Sequence, residues 1–346
     1  MGWISQQHGS FERFLERLAI RCADAGLNTH LVFPSRPLSD SFVRDVRAEI
    51  HEVPLARHPL DWKAWSGLGD VLRRTNATHV HAHFGLDAMI AMKVARRQRR
   101  FLSKHIIPGA SKLSSIRHRW LAAQAEVFFA VSDRVANDLI SLGVPNEKVV
   151  RVYLGVDTNA YRPDPQKRAA MRQKLGLSGD QKMVLCASHL REGKGVEMLP
   201  ALARALGNVP VLCAGDGVLR PRLEAEAAGT SLRILGLRQD IPELLAAADV
   251  FVFPTTGNEG LGLGPIEAMA AGLPIVASAV SDLPNIAGDA MRFVPPGDID
   301  ALVNATRALL TDDAAARELG ARARKAAVER FSVDVAVEAH LQRYLA

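Results

Sequence analysis

At 346 residues the chain exceeds what one hydrophobic core usually supports, so two domains are expected. Its composition, 48% apolar and 23% charged, excludes a disordered or collagen-like chain. No signal-peptide pattern and no apolar run long enough to span a bilayer is read, so a cytoplasmic protein is expected. The net charge of +6 is uneven: residues 1–160 carry 22 Lys/Arg against 15 Asp/Glu, and residues 161–346 carry 21 against 22. Nine of the eleven histidines also lie in the first part, which is therefore expected to meet an anionic partner. Nucleic acid is not expected, because aromatic residues are sparse (5%) and no recognition motif is present. Cys22, Cys186 and Cys213 have no metal-ligand spacing and fit a reducing compartment, the last two as core residues of strands.

In chain order, Phe11, Phe14, Leu15, Leu18, Ala19 and Cys22 recur at helical spacing, Gly26 stops the helix, and residues 27–34 read as a strand. Only Met1–Ser5 is available for a strand before that helix, with Gly9 and Ser10 as the turn. A helix over residues 60–74 precedes a strand over 78–85, whose alternation puts His79, His81 and His83 on one face. Ligands of open parallel sheets gather beyond the carboxyl ends of strands, which makes His83 the functional candidate and His81 a structural one, satisfied by a backbone group or a carboxylate. Residues 88–102 read as a helix carrying Arg96, Arg97, Arg99 and Arg100, with Lys104, Lys112, Arg117, His118 and Arg119 following. This basic stretch reads equally as a surface that captures an anionic acceptor or rests on anionic lipid, giving peripheral attachment to the inner face of the membrane, or as a plain solvated face. In residues 126–157 a strand, a helix capped by Ser132 and closed by Gly143, and a second strand follow, and the proline-bearing stretch 157–166 reads as an interdomain hinge.

The second half repeats short apolar runs (KMVLCASH, VPVLCAG, LRILG, DVFVFP, PIVAS) between helical patterns, which predicts a parallel sheet. Lys194, in the glycine-bearing turn after the first of these strands, is placed to meet phosphate. The AGDG loop around Gly215 is weak by itself, and Asp298 and Asp300 read as turn and cap residues. Residues 255–272, TTGNEGLGLGPIEAMAAG, follow a buried strand, with Pro265 expected to open a short helix over 266–271. Unsatisfied N–H groups at such a glycine-lined helix start favour phosphate, and Glu259 and Glu267 beside it suit sugar hydroxyls. Residues 331–346 read as a terminal amphipathic helix.

Together these segments resemble the retaining glycosyltransferases of GT-B architecture known as family 4, or glycosyl transferases group 1. The resemblance covers essentially the whole chain and is strongest in EGLGLGPIEAMAAGLPIVAS, where Glu259 and Glu267 match the family's E-x7-E pair. It implies an α/β fold of two Rossmann-like domains facing across a cleft: an acceptor-side domain over 1–160, a nucleotide-sugar-binding domain over 161–330, and a helix over 331–346 crossing back to the first. It implies transfer of a sugar from a nucleoside diphosphate sugar, a UDP-sugar for preference, with retention and with neither cofactor nor metal. The implied acceptor is a saccharide or lipid-linked saccharide in lipopolysaccharide or exopolysaccharide assembly. Carried over by residue, Glu267 would hold the donor ribose, and Glu259 the donor sugar, near the amides of Gly260, Leu261, Gly262 and Leu263. Lys194 and His189 would meet the diphosphate, Gly215 would line the donor loop, and Arg238 the base pocket. His83 would orient the donor sugar, so that His83, Glu259 and Lys194 carry the catalytic expectation, and Gly9 and Ser10 stand in the opening loop.

Two departures accompany the resemblance. His189 stands where the family commonly has arginine, and the opening G-G-x-E reads G-S-F-E over Gly9–Glu12 after a very short strand. They leave open a catalytically weakened binding subunit, and the short strand leaves open an upstream start. A nucleotide-sugar epimerase of similar shape is the rival enzyme, distinguished by acting without an acceptor.

Overall fold

Apolar runs bounded by glycine and proline fold into parallel strands, and the 3.6-residue patterns between them into covering helices. A computed structural model describes residues 10–33, 46–54, 61–83, 85–105, 112–153, 155–178, 180–257 and 262–346. The chain divides into two compact units, Met1–Leu154 with Val333–Ala346, and Gly155–Ser332.

The first unit opens with α1 (Ser10–Asp24), β1 (His30–Phe33), β2 (Glu49–Glu52), α2 (Trp62–Thr75), β3 (His79–Ala82), α3 (Gly85–Val94) and β4 (Arg99–Lys104). It continues through α4 (Lys112–Gln124), β5 (Val127–Ala130), α5 (Asp133–Ser141) and β6 (Val149–Arg151). Among the described residues its strands form a parallel pair β1–β2 and a parallel sheet in the order β3-β4-β5-β6. Ser132 caps α5 by accepting the Val135 amide at 3.1 Å, as its position predicts. The sequence reading is corrected at Arg99 and Arg100, which lie in a central strand and not on a helix. The helix ends at Val94, and Phe101, Leu102 and Ser103 are buried in β4. Arg99 pairs with Glu126 at 2.9 Å, and Arg100 donates to the Gln124 side chain at 3.0 Å, so both tie the sheet to its surroundings.

The second unit contains α6 (Pro165–Lys174), β7 (Val184–Ala187), α7 (Leu199–Leu206), β8 (Val211–Ala214), α8 (Arg220–Ala227), β9 (Leu232–Gly236), α9 (Ile241–Ala247) and β10 (Val250–Phe253). After these come α10 (Leu263–Ala270), β11 (Ile275–Ser278), α11 (Leu283–Ala287), β12 (Arg292–Val294), α12 (Ile299–Thr311) and α13 (Asp313–Arg330). Its six parallel strands lie in the order β12-β11-β10-β7-β8-β9. Winding therefore starts at the centre and reverses between β7 and β10, the doubly wound arrangement whose ligands sit beyond the carboxyl ends at that switch. Cys186 and Cys213 are fully buried and directly paired across β7 and β8. The edge strand β12 was not anticipated, because three residues carry too little pattern to stand out from the turn that follows. Asp298 caps α12 through the Ala301 amide at 2.9 Å, as expected.

The last helix, α14 (Val333–Leu345), belongs to the first unit and so returns there from the second. Val333, Ala336, Val337, Leu341 and Tyr344 share one apolar cluster with Phe14, Leu15, Leu18 and Cys22 of α1 and with Phe101 and Phe129. Burying such side chains stabilises by about 1.5–3 kcal/mol each. Leu102, Phe128 and Ala130 face the other way, onto Met92, Leu121 and Leu139, so the sheet is covered on both sides.

Candidate functional site

Four loops of the second unit leave the carboxyl edge of one parallel sheet, and three of them are held together by backbone contacts. After β7 the chain turns through Ser188–Gly195, and after β10 it passes Pro254–Gly257. The two meet where the Thr256 and Gly257 amides both donate to the Gly193 carbonyl, at 3.0 and 2.8 Å. Gly195 has φ +65°, and a Cβ there would sit 1.8 Å from the Pro254 carbonyl oxygen. The loop after β8 closes on the same turn: a Cβ on Gly215 would sit 1.8 Å from the Ser188 carbonyl oxygen. Only glycine permits these approaches. Gly215, expected on weak grounds, is thus part of the clasp.

Lys194 sits in this turn, half-buried. His189 is exposed on the same turn, with its carbonyl accepting the Arg191 amide at 3.0 Å.

Gly262, at φ +67°, is the N-cap of α10. The helix starts at Leu263, two residues ahead of Pro265, which corrects the expectation that Pro265 opens it. Proline is tolerated in the first turn because its missing N–H has no intrahelical acceptor there. A Cβ on Gly264 would lie 3.5 Å from the Ala187 carbonyl, which puts the start of α10 over the end of β7. The unsatisfied amides of that first turn and the Lys194 turn therefore flank the switch point, an arrangement suited to a diphosphate. Thr255, beside them, is buried, and its Oγ1 has no hydrogen-bond partner among the described residues.

Glu267 lies one turn into α10, where its Oε1 accepts the Tyr161 hydroxyl at 2.9 Å. Tyr161 is only 3% exposed, which fixes the carboxylate from beneath. Sequence reasoning missed this residue by taking residues 157–166 as a hinge. Within the stretch, the Asp157 carboxylate accepts the Asn159 and Ala160 amides at 2.9 and 3.0 Å. Arg238 follows β9, two strands or about 10 Å from β7. Asp240 orients its guanidinium through two contacts, at 2.8 and 2.5 Å.

Glu259, Gly260 and Leu261, and Gly9 in the first unit, lie outside the described residues. Ser10 is the first residue of α1. His83, also in the first unit, stands just past the carboxyl end of β3, with its Nδ1 3.4 Å from Nε2 of His105 past the neighbouring β4. Burial, and then the nearby His105 and His340, hold His83 well below the ordinary histidine value, so it is neutral near pH 7. Burial likewise brings His105 and His340 down to about 4. His81 is structural, but its partners differ from the expected backbone group or carboxylate: they are the hydroxyls of Ser103, at 2.9 Å, and Tyr344.

A depression of about 390 Å3 lined by Arg168, Lys182, Asp249 and Pro274 opens at the amino ends of the strands. That is the wrong end for a switch-point ligand, so the loop clasp locates the site better than cavity size.

Residues 11–160 match the family described as Glycosyltransferase Family 4, and residues 181–312 match Glycosyl transferases group 1. A GDP-mannose-dependent alpha-(1-6)-phosphatidylinositol monomannoside mannosyltransferase of Mycolicibacterium smegmatis is 32% identical over 231 residues, covering 62% of this chain. The aligned stretch spans 60% of that relative's length. Among solved structures, a glycosyltransferase of Rickettsia africae superposes with a TM-score of 0.87 at 16% identity, covering 97% of this chain and 94% of its own. HepE of Anabaena in complex with UDP-glucose superposes with a TM-score of 0.80 at 20% identity, over 98% and 97%. The fold is thus the two-domain α/β arrangement called GT-B.

Proposed function

Since this chain belongs to the family 4 glycosyltransferases, we propose that it transfers a sugar from a nucleoside diphosphate sugar to a saccharide or lipid-linked saccharide acceptor, in the assembly of a cell-surface polysaccharide or glycolipid. The observation that carries this reading is the clasp at the switch point, with Lys194 and the start of α10 on either side and Glu267 braced by Tyr161. In this reading the Glu267 carboxylate accepts the ribose hydroxyls. Lys194 and the α10 amides stabilise charge as it develops on the departing diphosphate, the usual largest contribution of a preorganised site. Glu259 holds the donor sugar. His83, kept neutral, donates or accepts a hydrogen bond to that sugar without adding charge.

Retention of anomeric configuration and independence of divalent metal are part of the same proposal, supported by the resemblance alone. Retention requires the acceptor hydroxyl to enter on the face that the diphosphate leaves, so the leaving group itself is suited to take its proton. A UDP-sugar is the proposed donor, in keeping with the UDP-glucose bound to the HepE neighbour. The expected result is acceptor-dependent release of UDP that falls at least about 100-fold in Glu267→Ala. Unchanged turnover in the variant would remove the assigned site, and UDP-sugar conversion without acceptor would favour an epimerase.

For a lipid-linked acceptor, the first unit is proposed to rest on an anionic bilayer through α4, where Leu113 and Ile116 are exposed beside Lys112 and Arg119. Among the described residues no helix is long and apolar enough to cross a membrane. Flotation with phosphatidylserine vesicles should decrease in Leu113→Ser/Ile116→Ser; equal flotation of variant and wild type rejects this face.

A further inference from the structure

We propose that His30, Glu49 and His51 form a binding site for one divalent transition-metal ion of the zinc class, separate from the sugar-transfer chemistry. Parallel pairing of β1 with β2 sets His30 opposite Glu49 and Val32 opposite His51. Because side chains alternate, His30, Glu49 and His51 all leave the same face of the pair. Leu31, Phe33 and Ile50 leave the other and pack into the apolar cluster of α1 and α14.

The candidate ligand atoms lie close together, one from each residue within 4.8 Å of the others: His30 Nδ1 is 3.1 Å from His51 Nε2, and the Glu49 carboxylate approaches His30 Nδ1 with Oε2 at 3.4 Å and His51 Nε2 with Oε1 at 3.7 Å. A tetrahedral zinc with ligands at about 2.0–2.1 Å holds them about 3.3–3.4 Å apart. The 3.1 Å between the two imidazole nitrogens and the 3.4 Å from His30 to Glu49 Oε2 lie near that value.

Exposure is graded as a metal site requires. His51 is buried, His30 is half-buried, and the Glu49 carboxylate is exposed, at the mouth of a depression lined also by Thr29 and Arg47. Arg47, which lines the same depression, is paired with Asp24 at 3.0 Å. Two imidazoles and a carboxylate suit zinc, cobalt or nickel over magnesium or calcium, which prefer oxygen. With three protein ligands, a fourth position is left for water. An ion here would bridge β1 to β2 and stabilise the first unit by binding only its folded form.

The test uses the full chain without a histidine tag, stripped with chelator and titrated with cobalt(II) while visible absorption and calorimetric heat are recorded. One cobalt per chain, with the visible bands of a four- or five-coordinate ion, is expected, and zinc should displace it and raise the Tm. His30→Ala, His51→Ala and the isosteric, exposed Glu49→Gln should each weaken binding by more than the roughly 10–100-fold that loss of an outer-shell partner alone costs. Glu49→Gln keeps the test meaningful if His51→Ala fails to fold, as far-UV circular dichroism would show. No cobalt binding, or binding that Glu49→Gln and His30→Ala leave unchanged in folded protein, overturns the assignment. UDP binding by the same samples reports on the sugar site independently.

Discussion

Glu267 and Tyr161 show what a single hydrogen bond contributes to a recognition site. A carboxylate one turn into a helix has several staggered rotamers, and the buried phenol selects one of them through its 2.9 Å contact. A hydrogen bond to a charged group is worth about 1.5–3 kcal/mol. Tyr161→Phe should accordingly raise the KM for donor about tenfold or more, with a smaller change in kcat, because the carboxylate remains and only its orientation is lost. Initial-rate kinetics at varied donor concentration check this, and an unchanged KM would mean that Tyr161 serves packing alone. At this scale Lys194 and Glu267 were legible in the sequence, since each stands at a fixed offset from glycines after an apolar run. Tyr161 was not, because its partner is 106 residues away and the polar stretch around it looked like a linker. His30, Glu49 and His51 were invisible for a related reason: their metal-ligand spacing exists across two paired strands and not along the chain.

Among the elements, the loops at the carboxyl ends of β7, β8 and β10 behave as one unit because carbonyls occupy the space where side chains would go. Gly195 and Gly176 have nearly the same positive φ, +65° and +69°, yet a Cβ on Gly195 meets the Pro254 carbonyl at 1.8 Å while one on Gly176, which closes α6 in a Schellman turn, meets nothing within 4 Å. Left-handed backbone alone costs a non-glycine residue roughly 1–2 kcal/mol. Gly176→Ala should lose about that much by urea unfolding. Gly195→Ala should lose roughly 3 kcal/mol or more and weaken nucleotide binding, because the clasp must open to admit the methyl group. Equal losses in the two variants would show that conformation, and not close approach, fixes glycine at 195. The strands themselves were legible from their apolar runs, whereas element ends were not. The start of α10 at Leu263 is set by Gly262 and its tertiary neighbours, while Pro265 drew attention two residues too late. Arg99 and Arg100 read as helical because charge conceals a strand; the neighbouring strands and Glu126, which hold them in β4, come from elsewhere in the chain.

For the whole molecule, the imbalance of histidines becomes a statement about pH. His340 is buried and His81, His83 and His105 are half-buried in the first unit, with desolvation the leading cause of a depressed value in each and about 4 for His105 and His340. The unfolded chain, with ordinary values near 6.5, binds protons that the folded chain refuses between about pH 6.5 and 4. The resulting stability is fully present above about pH 6.5 and is lost as the pH falls through that window, at about 1.4 kcal/mol per pH unit for each proton involved. Denaturant unfolding at pH 7.5 and 5.5 should therefore differ by more than about 1 kcal/mol. His340→Phe should flatten the dependence, since His340 Nε2 has no hydrogen-bond partner among the described residues and its ring already packs 4.0 Å from that of Phe129. A profile that is flat from pH 7.5 to 5.5 would contradict the neutral cluster. The two-domain organisation was legible from chain length and from the repeated strand–helix pattern. The return of α14 to the first unit followed from family resemblance; its apolar face alone does not name the surface that covers it.

In the proposed function the second unit grips an activated sugar by its diphosphate at the β7–β10 switch. Calorimetric titration of the full chain with UDP and UDP-glucose, compared with Lys194→Ala and Glu267→Ala, tests that grip without requiring the acceptor. One nucleotide per chain, bound at least about tenfold more weakly in each folded variant, is the predicted result. Equal binding in wild type and both variants, or no binding of any nucleoside diphosphate by the wild type, would contradict it.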